Sequence, residues 1–287
     1  MELQQNVGLN VGKILFALQI PFLHIPFSDN VIIEILRQYI ARLGVPFFFA
    51  ASGYLLSKSI DNKGSISALK KYADRIGVLL VIWLVIYCPL YIRNSEFLEM
   101  PVRFILFKTP GFLWYLTAIL FAAIPFCIIK NRKVLYLIAG ALYIIGTMMG
   151  SSYSWLVDEC SVYSNIFLTT RNGLFFALPL MLTGEIVKTA IDEPTFSWSV
   201  TYRVGLFCTY IVFCAEVYLC RSRVLSDADC SMYFSLPIIS FFLLLFFLTH
   251  FNRESEVLKY KSRFVSKWSS AIYLLQYGVI KVGGIAL

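Results

Sequence analysis

"GKILFALQIPFLHIPF" (residues 12–27) is a run suited to hydrocarbon that opens on Lys13 and carries His24, one of the 2 histidines of the chain. Almost everything between them is apolar. A helix of about 20 such residues crosses a bilayer core. Ionisable groups inside a span are costly and are read first as functional. In a uniform α-helix the interval from Lys13 to His24 is close to three turns. That predicts an angular offset of about 20° and a rise of about 16 Å. One helix edge would then carry a cation at its mouth and an imidazole deeper in. This arrangement suits a long, thin molecule with an anionic head, such as coenzyme A. The plainer alternative is a satisfied core histidine and a lysine that snorkels to the interface.

The rest of the chain repeats this character. Of 287 residues, 59% are hydrophobic and 15% charged, against about a quarter charged in soluble domains. Mean hydropathy is +0.73. The class expected is an all-α polytopic integral membrane bundle of about nine to ten spans, folded as a single domain over 1–287. Spans are predicted at 11–28, 38–57, 75–93, 111–129, 133–150, 171–190, 203–220, 232–250 and 269–286. The first is expected to be retained, since no small-residue cleavage site follows it. The stretch "SKSIDNKGSIS" (57–67) reads as a polar loop.

Charge sets the expected orientation. One alternate set of loops holds Lys58, Lys63, Lys70, Lys71, Lys130, Arg132 and the basic 253–267 stretch. The opposite set holds only Arg37, Arg103, Lys108, Arg221 and Arg223. The positive-inside rule makes the first set and the N-terminus cytoplasmic. The net charge of +8 is accounted for in this way, without nucleic acid as a partner. No Cys/His cluster suggests a metal. The loop residues Cys160 and Cys230 would permit a disulfide on an oxidising side.

Further ionisable residues fall in or beside spans: Arg42, Arg75, Arg171, Glu185, Glu216 and Lys281. Arg75, Glu185 and Lys281 read as span-end residues able to snorkel. Glu216 reads as half of a structural ion pair. Ser52, Gly53 and Tyr54 interrupt an aromatic run, which suggests close helix packing first and an open tunnel wall second. Trp114 and Tyr115 suit an interfacial belt or a sugar-stacking platform.

"RLGVPFFFAASGYLL" (42–56) resembles the second span of the acyltransferase family 3 membrane proteins. "KKYADRIGVLLVIWLVIY" (70–87), "GFLWYLTAIL" (111–120), "TRNGLFFALPLMLTGEIV" (170–187) and "VSKWSSAIYLLQYGVI" (265–280) resemble later spans of that family in order. The resemblance implies transfer of an acyl group, usually acetyl, from cytoplasmic acyl-CoA. The acceptor implied is a hydroxyl of a cell-surface glycan or lipid-linked saccharide, and the location the cell (inner) membrane. It gives His24 the catalytic role, as general base or transient acyl carrier. Lys13 takes the place of a cofactor-binding arginine. Arg75 is its expected partner on CoA, and Arg42 and Arg171 are expected to meet acceptor phosphates. Three departures stand out: lysine for arginine at 13, Gln276 where the late span often has histidine, and no tenth span before Leu287. An exporter of a sugar-linked or small polar solute, or an inactive member of a glycan-assembly complex, is the alternative.

Overall fold

The computed structural model describes residues 6–24, 30–93, 113–153, 155, 170–193, 198–223 and 230–250. Between 260 and 276 it describes all but 263, 266, 267 and 270. The described residues are helical, with no strand among them.

Asparagines start several helices. Asn6 accepts a bond from the Leu9 amide at the head of α1 (Val7–Gln19). Pro21 then removes an amide the α-ladder would need, and the chain tightens into a 3-10 turn, Ile20–His24. Asn30 caps α2 (Val31–Ile35). The chain runs on through a π turn (Leu36–Ile40) and a 3-10 turn (Ala41–Leu43) into α3 (Gly44–Lys63). Gly64 ends α3 at φ 77°, a left-handed conformation that glycine adopts without penalty. Its amide still reaches the Ile60 carbonyl at 2.8 Å. α4 (Ser65–Arg93) begins on the next residue. The expected polar loop 57–67 is therefore helix on both sides of a single glycine.

Beyond lie α5 (Trp114–Ile128) and α6 (Arg132–Met148), the latter capped by Asn131. Asn172 caps a π turn, Gly173–Ala177, that leads into α7 (Leu178–Asp192). α8 (Trp198–Arg223), α9 (Leu236–His250) and helical residues within 260–276 complete the described fold. Each of these helices overlaps an expected span. Among the described residues five segments have the length and composition to cross a membrane: Val7–His24, Val31–Lys63, Ser65–Pro89, Gly173–Asp192 and Thr201–Arg223. α5 and α9 are shorter apolar helices.

α3 and α7 form the closest crossing. A Cβ on Gly53 would fall on the Met181 carbonyl, and one on Gly184 on the Ala50 carbonyl and Tyr54 amide. Lipid supplies no hydrophobic drive between helices, so such backbone approach is what holds them. Around this seam Phe47, Phe49, Phe126 and Phe176 are wholly buried. Outward, α4 shows Val78, Val81, Ile82, Val85 and Ile86, and α8 shows Phe207, Ile211, Val212 and Leu219. Those stripes at helical spacing are surfaces for acyl chains. The fold is that of a membrane helical bundle.

Candidate active site

Two ends of the bundle hold different chemistry. At the end where α3 turns into α4, cations gather. Gly12 lets α1 approach the Phe47 ring, and a Cβ on Gly8 would strike the Phe247 carbonyl. Seated in this way, α1 presents Lys13, half-buried, within electrostatic range of the Arg75 guanidinium on α4. Lys71 lies close to Lys63 and within range of Arg75. Lys70, Lys71, Asp74 and Arg75, with Ser67 and Val78, line an open concavity of about 590 Å³. Five cations from three helices thus face a region where Asp74 is the nearby acid. Like charges brought together repel, and a polyanion would offset that cost. Other charges on this side are matched. Arg132 meets Glu185 at 3.1 Å, and Tyr136 donates to the same carboxylate. Lys188 is held by Asp61 and Asp192.

From the cation cluster a line of hydroxyls leads inward. The Tyr72 hydroxyl is buried beside Ser52 without a well-directed bond. Ser52 Oγ and the Tyr115 hydroxyl are 3.4 Å apart. The Tyr115 ring lies edge-on to Tyr273 at 5.4 Å. Tyr273 is in range of Arg171, whose guanidinium stacks over Trp114 at 4.8 Å. One turn past Tyr273, Gln276 is buried, and neither end of its amide is hydrogen-bonded.

His24 stands at the opposite end, half-buried at the close of its 3-10 turn. That turn packs on the 36–40 and 41–43 turns, which carry Gln38 and Arg42. Arg42 Nε donates to Gln38 Oε1 at 3.0 Å, and both side chains are buried. Nearby, Glu34 is held by Arg37 at 3.1 Å and Arg221 at 3.4 Å.

An acyltransferase-domain family model (Acyl_transf_3) matches residues 6–285. The chain belongs to the acyltransferase 3 family. It is also similar to proteins named for a different reaction. An "Amino-acid racemase" of Enterococcus faecalis is 36% identical over 179 residues, covering 56% of this chain and 24% of that protein. A second match of the same name and organism is 24% identical over 268 residues, covering 84% of this chain and 37% of that protein. A "Serine/alanine racemase" of Enterococcus gallinarum is 24% identical over 265 residues, covering 83% and 36%. The chain therefore spans well under half the length of these curated relatives. No solved structure matches it.

Within this acyltransferase 3 chain, the residues expected at the site fall into separate groups. Lys13 and Arg75 come together. Trp114, Tyr115 and Arg171 share a second cluster, and Arg42 lies in the region on which the His24 turn packs. The uniform helix expected from Lys13 to His24 is interrupted by the 3-10 turn Ile20–His24. With the 3-10 turn, helical arithmetic gives an offset of about 120° and a rise of about 19 Å. Arg42 and Arg171 differ from simple span openers. Arg42 is buried within the continuous 31–63 run, and Arg171 sits against Trp114. Arg75 does not open its span, because α4 starts ten residues earlier, at Ser65. Trp114 is 8% exposed, so its ring belongs to the interior and not to an interfacial belt. Glu185 is a buried partner of Arg132 instead of a snorkelling end. Among the described residues Glu216 meets no cation; it accepts from Tyr153, Ser235 and the Phe234 and Ser235 amides. Burial and this carboxylate push the Tyr153 phenol well above its ordinary range. Cys230 is buried, and Cys160 and Lys281 lie outside the described residues. Among the described residues no His/Cys/Asp/Glu group has the makings of a metal site. Gln38, Lys63, Lys71 and Tyr72 were missed by sequence reading; only the basic residues gave a signal, as part of a charged loop.

Proposed function

We propose that the protein is a membrane O-acyltransferase that moves an acetyl or similar acyl group from cytoplasmic acyl-CoA to a hydroxyl of a cell-surface glycan or lipid-linked saccharide. The observation that carries this reading is the meeting of Lys13 with Arg75, backed by Lys63 and Lys71, at one end of the bundle. A cluster in which cations outnumber the acids among the described residues is suited to the phosphates of CoA. The rise of about 19 Å to His24 is comparable to the reach of a pantetheine arm. The hydroxyls of Tyr72, Ser52 and Tyr115 offer that arm polar contacts along the interior. His24 serves as general base: its neutral imidazole takes the proton of the acceptor hydroxyl as the oxygen attacks the thioester carbonyl, and CoA leaves as thiolate. A transient acyl-imidazole is the stepwise variant. Arg171, its guanidinium set over the buried Trp114 ring, offers the acceptor hydrogen bonds.

The reading includes nine to ten spans in one domain, an inner-membrane location and a cytoplasmic N-terminus. Basic residues at the α3–α4 turn support that orientation. A second reading follows from the racemase names of the relatives: the domain handles a small amino acid, as a transport module for an amino-acid enzyme. An inactive structural role is the third.

The deciding experiment compares His24→Ala with the unaltered protein in reconstituted vesicles carrying labelled acetyl-CoA inside. Loss of label from the acceptor fraction, by about a hundredfold or more, with CoA binding retained, supports the enzyme. Unchanged acetyl transfer, or His24-dependent uptake of serine or alanine with no acyl transfer, overturns it.

A further inference from the structure

The outer face of α4 changes chemistry part-way along. Ser67, Lys70, Lys71, Asp74, Arg75 and Val78 are exposed and line the open concavity of about 590 Å³. Val81, Ile82, Val85 and Ile86 follow, and they are exposed as well. At about 100° per residue these positions all fall within one sector of about 140°. The helix is continuous from Ser65 to Arg93, so they form a single stripe, polar and cationic at first and apolar beyond. From Val78 to Ile86 the stripe rises about 12 Å. One leaflet contributes about 15 Å to the hydrocarbon core, so the two lengths match. Arg75 stands about 4.5 Å before Val78, at the level where lipid phosphates lie.

Other outward apolar stripes end differently. On α6, Val134, Leu137 and Ile138 are exposed, but Arg132 beside them is committed to Glu185 and the Phe126 carbonyl. On α8, Phe207, Ile211 and Leu219 lead to Arg221, which meets Glu34, and to Arg223, which lies over the Trp155 ring. On α4, three cations and the single acid Asp74 line the concavity among the described residues. Lys63 adds a further cation close to Lys71. Because the lining residues are exposed, the concavity opens outward, where it adjoins lipid. Cations held side by side at the rim of an apolar surface favour a molecule with an anionic head and a hydrocarbon tail.

We propose that this stripe is a binding site for one anionic phospholipid. Lys70, Lys71 and Arg75 take its phosphate oxygens, and an acyl chain lies along Val78, Val81, Ile82, Val85 and Ile86. The occupant is a membrane lipid and not a soluble phosphate, because the apolar half of the stripe continues directly from the cationic half. The proposal does not rest on the acyltransferase reading. Arg75 is also within electrostatic range of Lys13, so a lipid seated here borders the cations assigned to CoA.

The test places the full chain in nanodiscs of equal phosphatidylglycerol and phosphatidylcholine. Lipid retained after release into detergent is counted by native mass spectrometry. The unaltered protein should retain phosphatidylglycerol about tenfold over phosphatidylcholine. Lys70→Gln combined with Lys71→Gln should bring that ratio close to unity. Lys130→Gln combined with Lys133→Gln removes the same charge from exposed residues at the same end and should leave the ratio unchanged. Asp74→Asn should raise it severalfold, a gain that a misfolded variant would not give. Excess glycerol 3-phosphate should not displace the lipid. An unaltered protein without a preference overturns the proposal, as does an Asp74→Asn variant without a gain. Equal loss in the two lysine pairs also overturns it, since the attraction would then be that of a diffuse basic surface. Displacement by glycerol 3-phosphate would leave a phosphate site with no acyl-chain half, and the lipid would be the wrong ligand.

Discussion

Single side chains divide here into those that shape the fold and those held for a ligand. On the proposed reading Lys13 is of the second kind. A lysine is a point charge without the guanidinium fork, so Lys13→Arg should bind CoA at least as tightly. Lys13→Met should raise KM for acyl-CoA about 10- to 100-fold with little change in kcat, the worth of one charge-assisted bond. Steady-state kinetics over a range of acyl-CoA separates the two. Glu216 is of the first kind. Its carboxylate accepts the amides of Phe234 and Ser235, and so caps α9 from a neighbouring helix. Glu216→Ala strands both amides and should cost about 2–4 kcal/mol, while Glu216→Gln, keeping one acceptor oxygen, should cost less. Thermal unfolding in detergent would show that order, and equal costs would mean the carboxylate is not the cap. Sequence reading flagged Glu216 as intramembrane and structural but assigned it a cation. Its partners are two hydroxyls and two backbone amides, and the amides are announced by no side-chain pattern.

At the scale of elements, the sequence marks helices well because each span must satisfy its own backbone in lipid. Asn6, Asn30, Asn131 and Asn172 mark starts, and Gly64 marks the break between α3 and α4. The 3-10 and π turns at 20–24, 36–43 and 173–177 carry no equally plain signal, since packing selects them. They also break the uniform helix between Lys13 and His24 and set Gln38 with Arg42, so the candidate site was less legible than the fold. The glycine pair at the α3–α7 crossing gives a test at this scale. Gly53→Ala or Gly184→Ala would press a methyl onto facing backbone. Each should destabilise by about 1–3 kcal/mol or more, as overpacking does. Gly140 of α6 has open space where its Cβ would stand, so Gly140→Ala should be neutral or stabilising by up to about 1 kcal/mol. Parallel melting curves decide it, and similar shifts at all three positions would mean the crossing is not close.

The whole molecule reads as two chemically distinct ends joined by a polar interior. Contacts among helices settle which residues share an end without reference to a bilayer. Asp61 meets Lys188, and Arg132 meets Glu185, which places the α3–α4 turn, the start of α6 and the later part of α7 together. Tyr153 meets Glu216, and Arg221 meets Glu34, which places the end of α6, the end of α8 and the start of α2 together. The first end holds the cation cluster and the second holds His24. If acyl-CoA arrives from the cytoplasm, the first end must face it. In a cysteine-free background, Asn62→Cys and Lys130→Cys should therefore react with a membrane-impermeant maleimide only in inside-out vesicles. Trp155→Cys, 40% exposed at the other end, should react only in right-side-out vesicles. The opposite pattern would put the basic end outside, where acyl-CoA is not supplied. The cation cluster would then need another polyanion, and the direction of acyl transfer inferred from Lys13 and Arg75 would be untenable.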